Sequence, residues 1–254
     1  MELIVLGSGT SVPHPKRSSS GLWVETAGGA ILLDCSAQVP HRVAQENLDW
    51  ANLDAIWISH FHLDHCGGLA PLLFGTKYAP QTQNREKPLR IFGPKGLEKL
   101  LENLSDSNDY GLLQQPFPLE IVEVETLEKF EIVADVEAVA AKTPHTDESH
   151  AIHIRDSQET VVYTADTGFD VALAALARRV DLFLLECSFV KNKPVDIHLE
   201  LAEAVNLVRR AEPKKTILTH FYAEWDEVNF EEEIKKFSPG FEITGAFDGM
   251  RLKV

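Results

Sequence analysis

Short runs of β-branched and aliphatic residues recur along the chain, set apart by polar turns. They predict strands at Glu2–Leu6, Leu22–Thr26, Ala30–Leu33, Ala55–Ser59, Leu89–Phe92, Ile121–Val124, Val136–Ala140, Ala151–Ile154, Val161–Ala165, Leu182–Leu185 and Thr216–Thr219. The set suits sheets covered on both faces. Helical periodicity is rarer and predicts helices at Gln38–Asn47, Lys95–Asn103, Val171–Arg178, Leu199–Ala211 and Phe230–Phe237. In the fourth, Leu201, Ala204, Val205 and Val208 fall at i, i+3, i+4 and i+7, a single apolar stripe to bury. Strands leading, helices interleaved and no repeat period predict a layered α/β architecture. Gly28-Gly29 between two strand runs reads as a hairpin turn. The stretches Phe74–Pro88 and Ser105–Pro118 read as loops, and the most linker-like part, Tyr78–Pro88, is too short to be a domain boundary.

Composition narrows this picture. With 254 residues, 44% of them hydrophobic, the chain can bury the core of one large domain spanning residues 1–254. No apolar run approaches the roughly 20 residues that span a bilayer, and Met1 to Gly7 lacks the basic start of a signal peptide. A cytoplasmic protein without a membrane partner is the expectation. Cys35, Cys66 and Cys187 are scattered and odd in number, so reduced thiols are expected rather than a disulfide framework. The formal charge of −15 argues against broad electrostatic attraction to nucleic acid or anionic membrane.

The chemistry is concentrated in the histidines. His60-Phe61-His62-Leu63-Asp64-His65 places three imidazoles and a carboxylate directly after an apolar strand run, a density of polar groups that packing does not explain. Imidazole and carboxylate together admit zinc, iron or manganese, with zinc the default for hydrolysis. His145, Asp166 and His220 also sit at or near strand ends, and ligands of open α/β sheets collect outside the carboxyl ends of strands. His14, His41, His150 and His153 have no such support and read as surface or structural residues.

His60-x-His62-x-Asp64-His65 followed by His145, Asp166 and His220 resembles the ligand series of the metallo-β-lactamase superfamily over nearly the whole chain. The resemblance implies a four-layer αββα sandwich holding two divalent ions: one on His60, His62 and His145, the other on Asp64, His65 and His220, with Asp166 between them. Two such ions carry about +4, and two carboxylates and a hydroxide return about −3, which leaves a centre suited to an anionic phosphate. Asp64 is also the candidate proton acceptor.

A second constellation, Glu186-Cys187-Ser188-Phe189 with His198-Leu199, resembles ribonuclease Z and its phosphodiesterase relatives. In that branch the histidine contacts the phosphate or protonates the leaving group, so His198 is expected to act there with Glu186 orienting it. The glycine-rich start Leu6 to Pro13 resembles the same branch more weakly. Asp166 follows His145 by only 21 positions, which leaves no room for the long arm with which ribonuclease Z grips tRNA. The expectation is therefore a phosphodiesterase acting on a small or flexible phosphodiester, with Lys16, Arg17, Lys191 and Lys193 as the basic residues nearest in sequence. The alternatives are a tRNA 3′-processing endoribonuclease with RNA as partner, a thioesterase or lactonase, and a non-catalytic metal-binding protein. The branch resemblance also implies a homodimer.

Overall fold

The computed structural model of the chain describes residues 1–237 and 240–254. Among the described residues two seven-stranded sheets form the centre of the molecule. The first contains β1 (Glu2–Gly7), β2 (Gly21–Thr26), β3 (Gly29–Leu33), β4 (Ala55–Trp57), β5 (Leu89–Gly93) and β6 (Leu119–Glu123), with the last strand of the chain, β14 (Arg251–Lys253), on the free edge of β1. The second contains β7 (Lys129–Val133), β8 (Val136–Lys142), β9 (His150–Arg155), β10 (Thr160–Tyr163), β11 (Leu182–Glu186), β12 (Lys215–Thr219) and β13 (Ile243–Gly245). Strands β3 to β6 run parallel, as do β10 to β13.

The period-2 alternation of side chains decides which layer each residue enters. In the first sheet Leu3, Val5, Val24, Ile31, Leu33, Ala55 and Trp57 join the core that also holds Ala138, Ile152, Ile154 and Val161 of the second. Their neighbours Ile4, Leu6, Trp23, Leu32 and Ile56 point the other way. There they meet α1 (Val39–Gln45), α3 (Leu69–Tyr78) and α4 (Leu97–Asp106). On the far side α5 (Val171–Leu176), α6 (Leu201–Ala211) and α7 (Phe230–Phe237) cover the second sheet, and α2 (Leu63–Cys66) is a single turn at the rim. The result is the anticipated four-layer αββα sandwich.

Several elements differ from the sequence reading. Phe74 to Tyr78 belong to α3 rather than to a loop. The run Leu-Ala-Pro-Leu-Leu-Phe is apolar on all sides and so hides its period, while Pro71 sits in the first turn, where its missing N–H is not needed. Helix α4 continues to Asp106, into the second expected loop. Strand β7 has no counterpart in the reading, because Lys129 and Glu131 dilute its apolar signal; its Phe130 stacks on Trp57 at 6.1 Å and on Phe92 at 5.3 Å, tying one sheet to the other. The three cysteines are free and buried. Among the described residues no helix is long and apolar enough to cross a membrane.

Candidate metal centre

Parallel strands from both sheets end at one rim, and the candidate residues lie just beyond those ends. His60 follows β4 by Ile58-Ser59, Asp166 follows β10, Glu186 closes β11, and His220 follows β12 directly. His62 precedes the first turn of α2 and is exposed, whereas Asp64 and His65 fall within that turn. Asp34, Ala165 and His220 all have positive φ, at +60°, +50° and +61°. Left-handed backbone in residues other than glycine costs on the order of 1–3 kcal/mol each and concentrates at functional sites.

Besides Glu186, His198 and His220, which also lie close enough together to hold an ion, the side chains gather into two overlapping groups that could each hold one: His60, His62, His145 and Asp166, and then Asp64, His65, Asp166 and His220. Within each group the ligand atoms lie within 4.8 Å of one another. Asp166 sits between them. Its Oδ2 is 3.6 Å from His145 Nε2 and 3.9 Å from His60 Nε2, while its Oδ1 is 3.0 Å from His65 Nε2 and 3.2 Å from His220 Nε2. Asp64 Oδ2 lies 3.6 Å from His220 Nε2, and His62 Nδ1 faces His145 Nε2 at 3.0 Å.

The donor set fits divalent metal. Nε2 of His60, His65 and His220 and Oδ1 of Asp166 are buried without a hydrogen bond, although buried polar atoms normally have one. Convergent orphan lone pairs of nitrogen and oxygen are what zinc, iron or manganese would occupy. Burial, reinforced by the charge of His65, pushes His60 down to about 2, so it is neutral as a ligand must be. Burial alone would raise Asp64, but the neighbouring imidazoles of His220 and His65 hold it down to about 2. Burial would also depress His65, yet Asp166 and Asp34 raise it well above the ordinary imidazole range. The carboxylates thus favour positive charge at His65, whereas burial keeps His60 and His145 neutral.

Glu186 and His198 lie against the second group. His198 Nδ1 donates to Glu186 Oε1 at 2.8 Å, and its ring is 4.9 Å from that of His145 and 5.4 Å from that of His220. Burial lowers the pKa of His198, but the hydrogen bond and charge of Glu186 outweigh it and the net shift is upward. Glu186 also accepts from the backbone N–H of Thr167, Ser188 and Leu199 and from Ser188 Oγ. Both Glu186 oxygens are thus engaged by hydrogen bonds, one of them from the His198 ring.

Other expectations fare differently. Lys193 Nζ is tied to the His198 carbonyl and to Glu203, and Arg17 to Asp226, so neither is free to meet a substrate charge. His14 also pairs with Asp226, and His150 and His153 lie on β9, as structural residues would. A cavity of about 580 Å³ opens beside the centre, lined by Ser11, Ser19, Ala37, Gln38, His62, Leu63 and Asp64, with no lysine or arginine among them. The sequence reading missed Asp34, Ser59 and Ser188, buried hydrogen-bond partners of the candidate ligands. Asp34 alone left a signal, a carboxylate directly after the apolar run of β3.

The family described as Anti-Pycsar protein Apyc1 matches residues 1–239. The chain belongs to that family. A ribonuclease Z of Shouchella clausii is 29% identical over an alignment covering 87% of this chain and 86% of its own. YhfI of Bacillus subtilis is 26% identical with 87% and 86% covered. The crystal structure of YhfI, a metallo-β-lactamase fold protein, superposes with a TM-score of 0.82 at 21% identity over 99% of both chains. Human tRNase Z, short form, gives 0.80 at 19% identity over 100% of this chain and 99% of that one. The fold is the metallo-β-lactamase fold, and the chain is a metallo-hydrolase of that superfamily.

Proposed function

We propose that this chain is a dinuclear phosphodiesterase of the ribonuclease Z-like branch, acting on a small or flexible phosphodiester. The observation that carries the reading is the buried Glu186–His198 pair beside the two ligand groups. His60, His62 and His145 would hold one ion, Asp64, His65 and His220 the other, and Asp166 would bridge. Bound there, a divalent pair supplies an activated water and charge neutralisation for a phosphate.

The side chains supply the rest. Because His198 keeps its Nδ1–H in a hydrogen bond to Glu186 and that carboxylate raises its pKa, the protonated ring carries a second hydrogen on Nε2, which would bind a phosphate oxygen or pass to the departing alkoxide. Glu186 holds the ring in that orientation through bonds it cannot easily rearrange, since three of its donors are backbone N–H groups. Asp64, beside His220, would be a ligand and would accept the attacking water's proton. The cavity beside His62 and Asp64 is lined by Ser11, Ser19 and Gln38 and by no cation, which suits a compact substrate with one phosphodiester better than a polyanion.

Purified protein tested on cyclic nucleotides, bis-p-nitrophenyl phosphate, precursor tRNA and a thioester distinguishes the classes. The small diesters are expected to turn over fastest, and a thioester hydrolysed faster than every diester would instead identify an acyl hydrolase. His198→Ala is expected to lower kcat on bis-p-nitrophenyl phosphate by about 10²- to 10⁴-fold with metal content unchanged. Unchanged kcat would remove His198 from the reaction.

A further inference from the structure

Two buried carboxylates stand on opposite sides of the centre with the same local wiring. On one side Asp34 Oδ2 accepts from His65 Nδ1 at 2.7 Å and from Ser59 Oγ at 2.9 Å, and Ser59 Oγ lies 3.0 Å from His60 Nδ1. On the other, Glu186 Oε1 accepts from His198 Nδ1 at 2.8 Å, Glu186 Oε2 from Ser188 Oγ at 2.8 Å, and Ser188 Oγ lies 3.0 Å from His220 Nδ1. Each carboxylate therefore grips one imidazole directly and a second through a serine. Both serines are fully buried, with 0% exposure.

Proton counting fixes what the serines do. A hydroxyl has one hydrogen, and an ionised carboxylate can only accept, so each Oγ–H must point to its carboxylate. The Oγ lone pair is then what faces the imidazole, and the hydrogen in that contact has to come from Nδ1. His60 and His220 are thereby set as Nδ1–H tautomers, with their lone pairs on Nε2. Those two Nε2 atoms are among the buried ones left without a hydrogen bond, and they point into different ligand groups. Ser59 Oγ is also 3.5 Å from His65 Nδ1, but Asp34 at 2.7 Å takes that proton.

We infer that Ser59 and Ser188 are paired positioning residues, each setting the tautomer of one metal-ligating histidine, so that Ser59 governs the ion on His60 and Ser188 governs the ion on His220. This rests on the dinuclear reading of the centre but not on any choice of substrate. Partners of this kind typically contribute about 10- to 100-fold to metal affinity.

The test is a Zn²⁺ titration of the full chain after chelator treatment, against a competing chromophoric chelator, for wild type, Ser59→Ala, Ser188→Ala and the double variant. Wild type is expected to take up two ions. Each single variant is expected to weaken one of the two steps by about 10- to 100-fold, and the double variant both. Ser59→Thr and Ser188→Thr, which keep the hydroxyl, are expected to restore affinity towards wild type, and the melting temperature of each metal-free alanine variant is expected to stay close to that of metal-free wild type. Alanine variants that bind both ions as tightly as wild type would overturn the inference. So would single variants that lose both steps equally with a lowered metal-free melting temperature, since that is general destabilisation. Wild type taking up fewer than two ions would instead overturn the dinuclear reading itself.

Discussion

Asp34 accepts hydrogen bonds from the side chains of Ser59, His65 and Tyr163 and from the backbone N–H of Ser59, all in the fully buried interior. Removing the charge at the hub of such a buried network, which all its donors share, costs on the order of 3–5 kcal/mol, so Asp34→Asn is expected to lose about that much in urea denaturation of metal-free protein. A loss below about 1 kcal/mol, the scale of an ordinary hydrogen bond, would contradict the role given to it. His150 offers a pH test away from the candidate ligands. Its ring is buried with Nδ1 unbonded, and burial, helped by Lys142, lowers it from 6.5 to about 4. A depressed histidine contributes stability that is present above pH 6.5 and lost as the pH falls towards 4, because the unfolded chain takes the proton first. The full contribution is on the order of 3 kcal/mol, and His150→Leu is expected to flatten that part of the metal-free stability curve. An unchanged acid limb would contradict it. The ligand series was legible in the chain because histidines crowd six positions. Ser59 and Ser188 were not, because each matters through carboxylates and rings that only folding brings within 3 Å.

Helix α6 shows how an element can serve the centre. It opens just after His198 with a capping box, in which Glu200 accepts from the Glu203 backbone and Glu203 accepts from the Glu200 backbone N–H. Glu203 also pairs with Lys193, whose ammonium donates to the His198 carbonyl. Glu203→Ala is therefore expected to cost about 1 kcal/mol, or roughly 2–4 °C in melting temperature, from the lost cap. It is also expected to reduce kcat on a phosphodiester while leaving Zn²⁺ affinity unchanged, because His198 is loosened and the ligands are not. A variant with full kcat would separate the cap from the site. The stripe of α6 was plain in the sequence, since Leu201, Ala204, Val205 and Val208 are indeed buried. Helix α3 was hidden because Pro71, Gly75 and an all-round apolar run leave no stripe. Strands β13 and β14 are three residues each, too short to show a period.

At the scale of the whole molecule, two half-structures each end their parallel strands at the same rim, and the ligands are shared between them. Apolar runs that alternate between two cores made the layered architecture readable, and the order of the ligands along the chain made the centre readable. The shape of the cavity was not, because Ser11, Ser19 and Gln38 lie outside the regular strands and helices, in segments whose approach depends on the finished fold. The charge of −15 belongs to this scale too. Without a surplus of cations to release counterions, the chain is expected to form no complex with precursor tRNA in a mobility-shift assay at about 1 µM protein and 0.15 M salt. A stable shift there would favour an RNA substrate. The central claim is a two-ion hydrolytic centre, and the most direct measurement of it is the rate of bis-p-nitrophenyl phosphate hydrolysis as chelator-stripped protein is titrated with Zn²⁺. The account predicts no activity at the start and a rise that is complete at two equivalents per chain. Full activity in the stripped protein, or a rise complete at one equivalent, would contradict it.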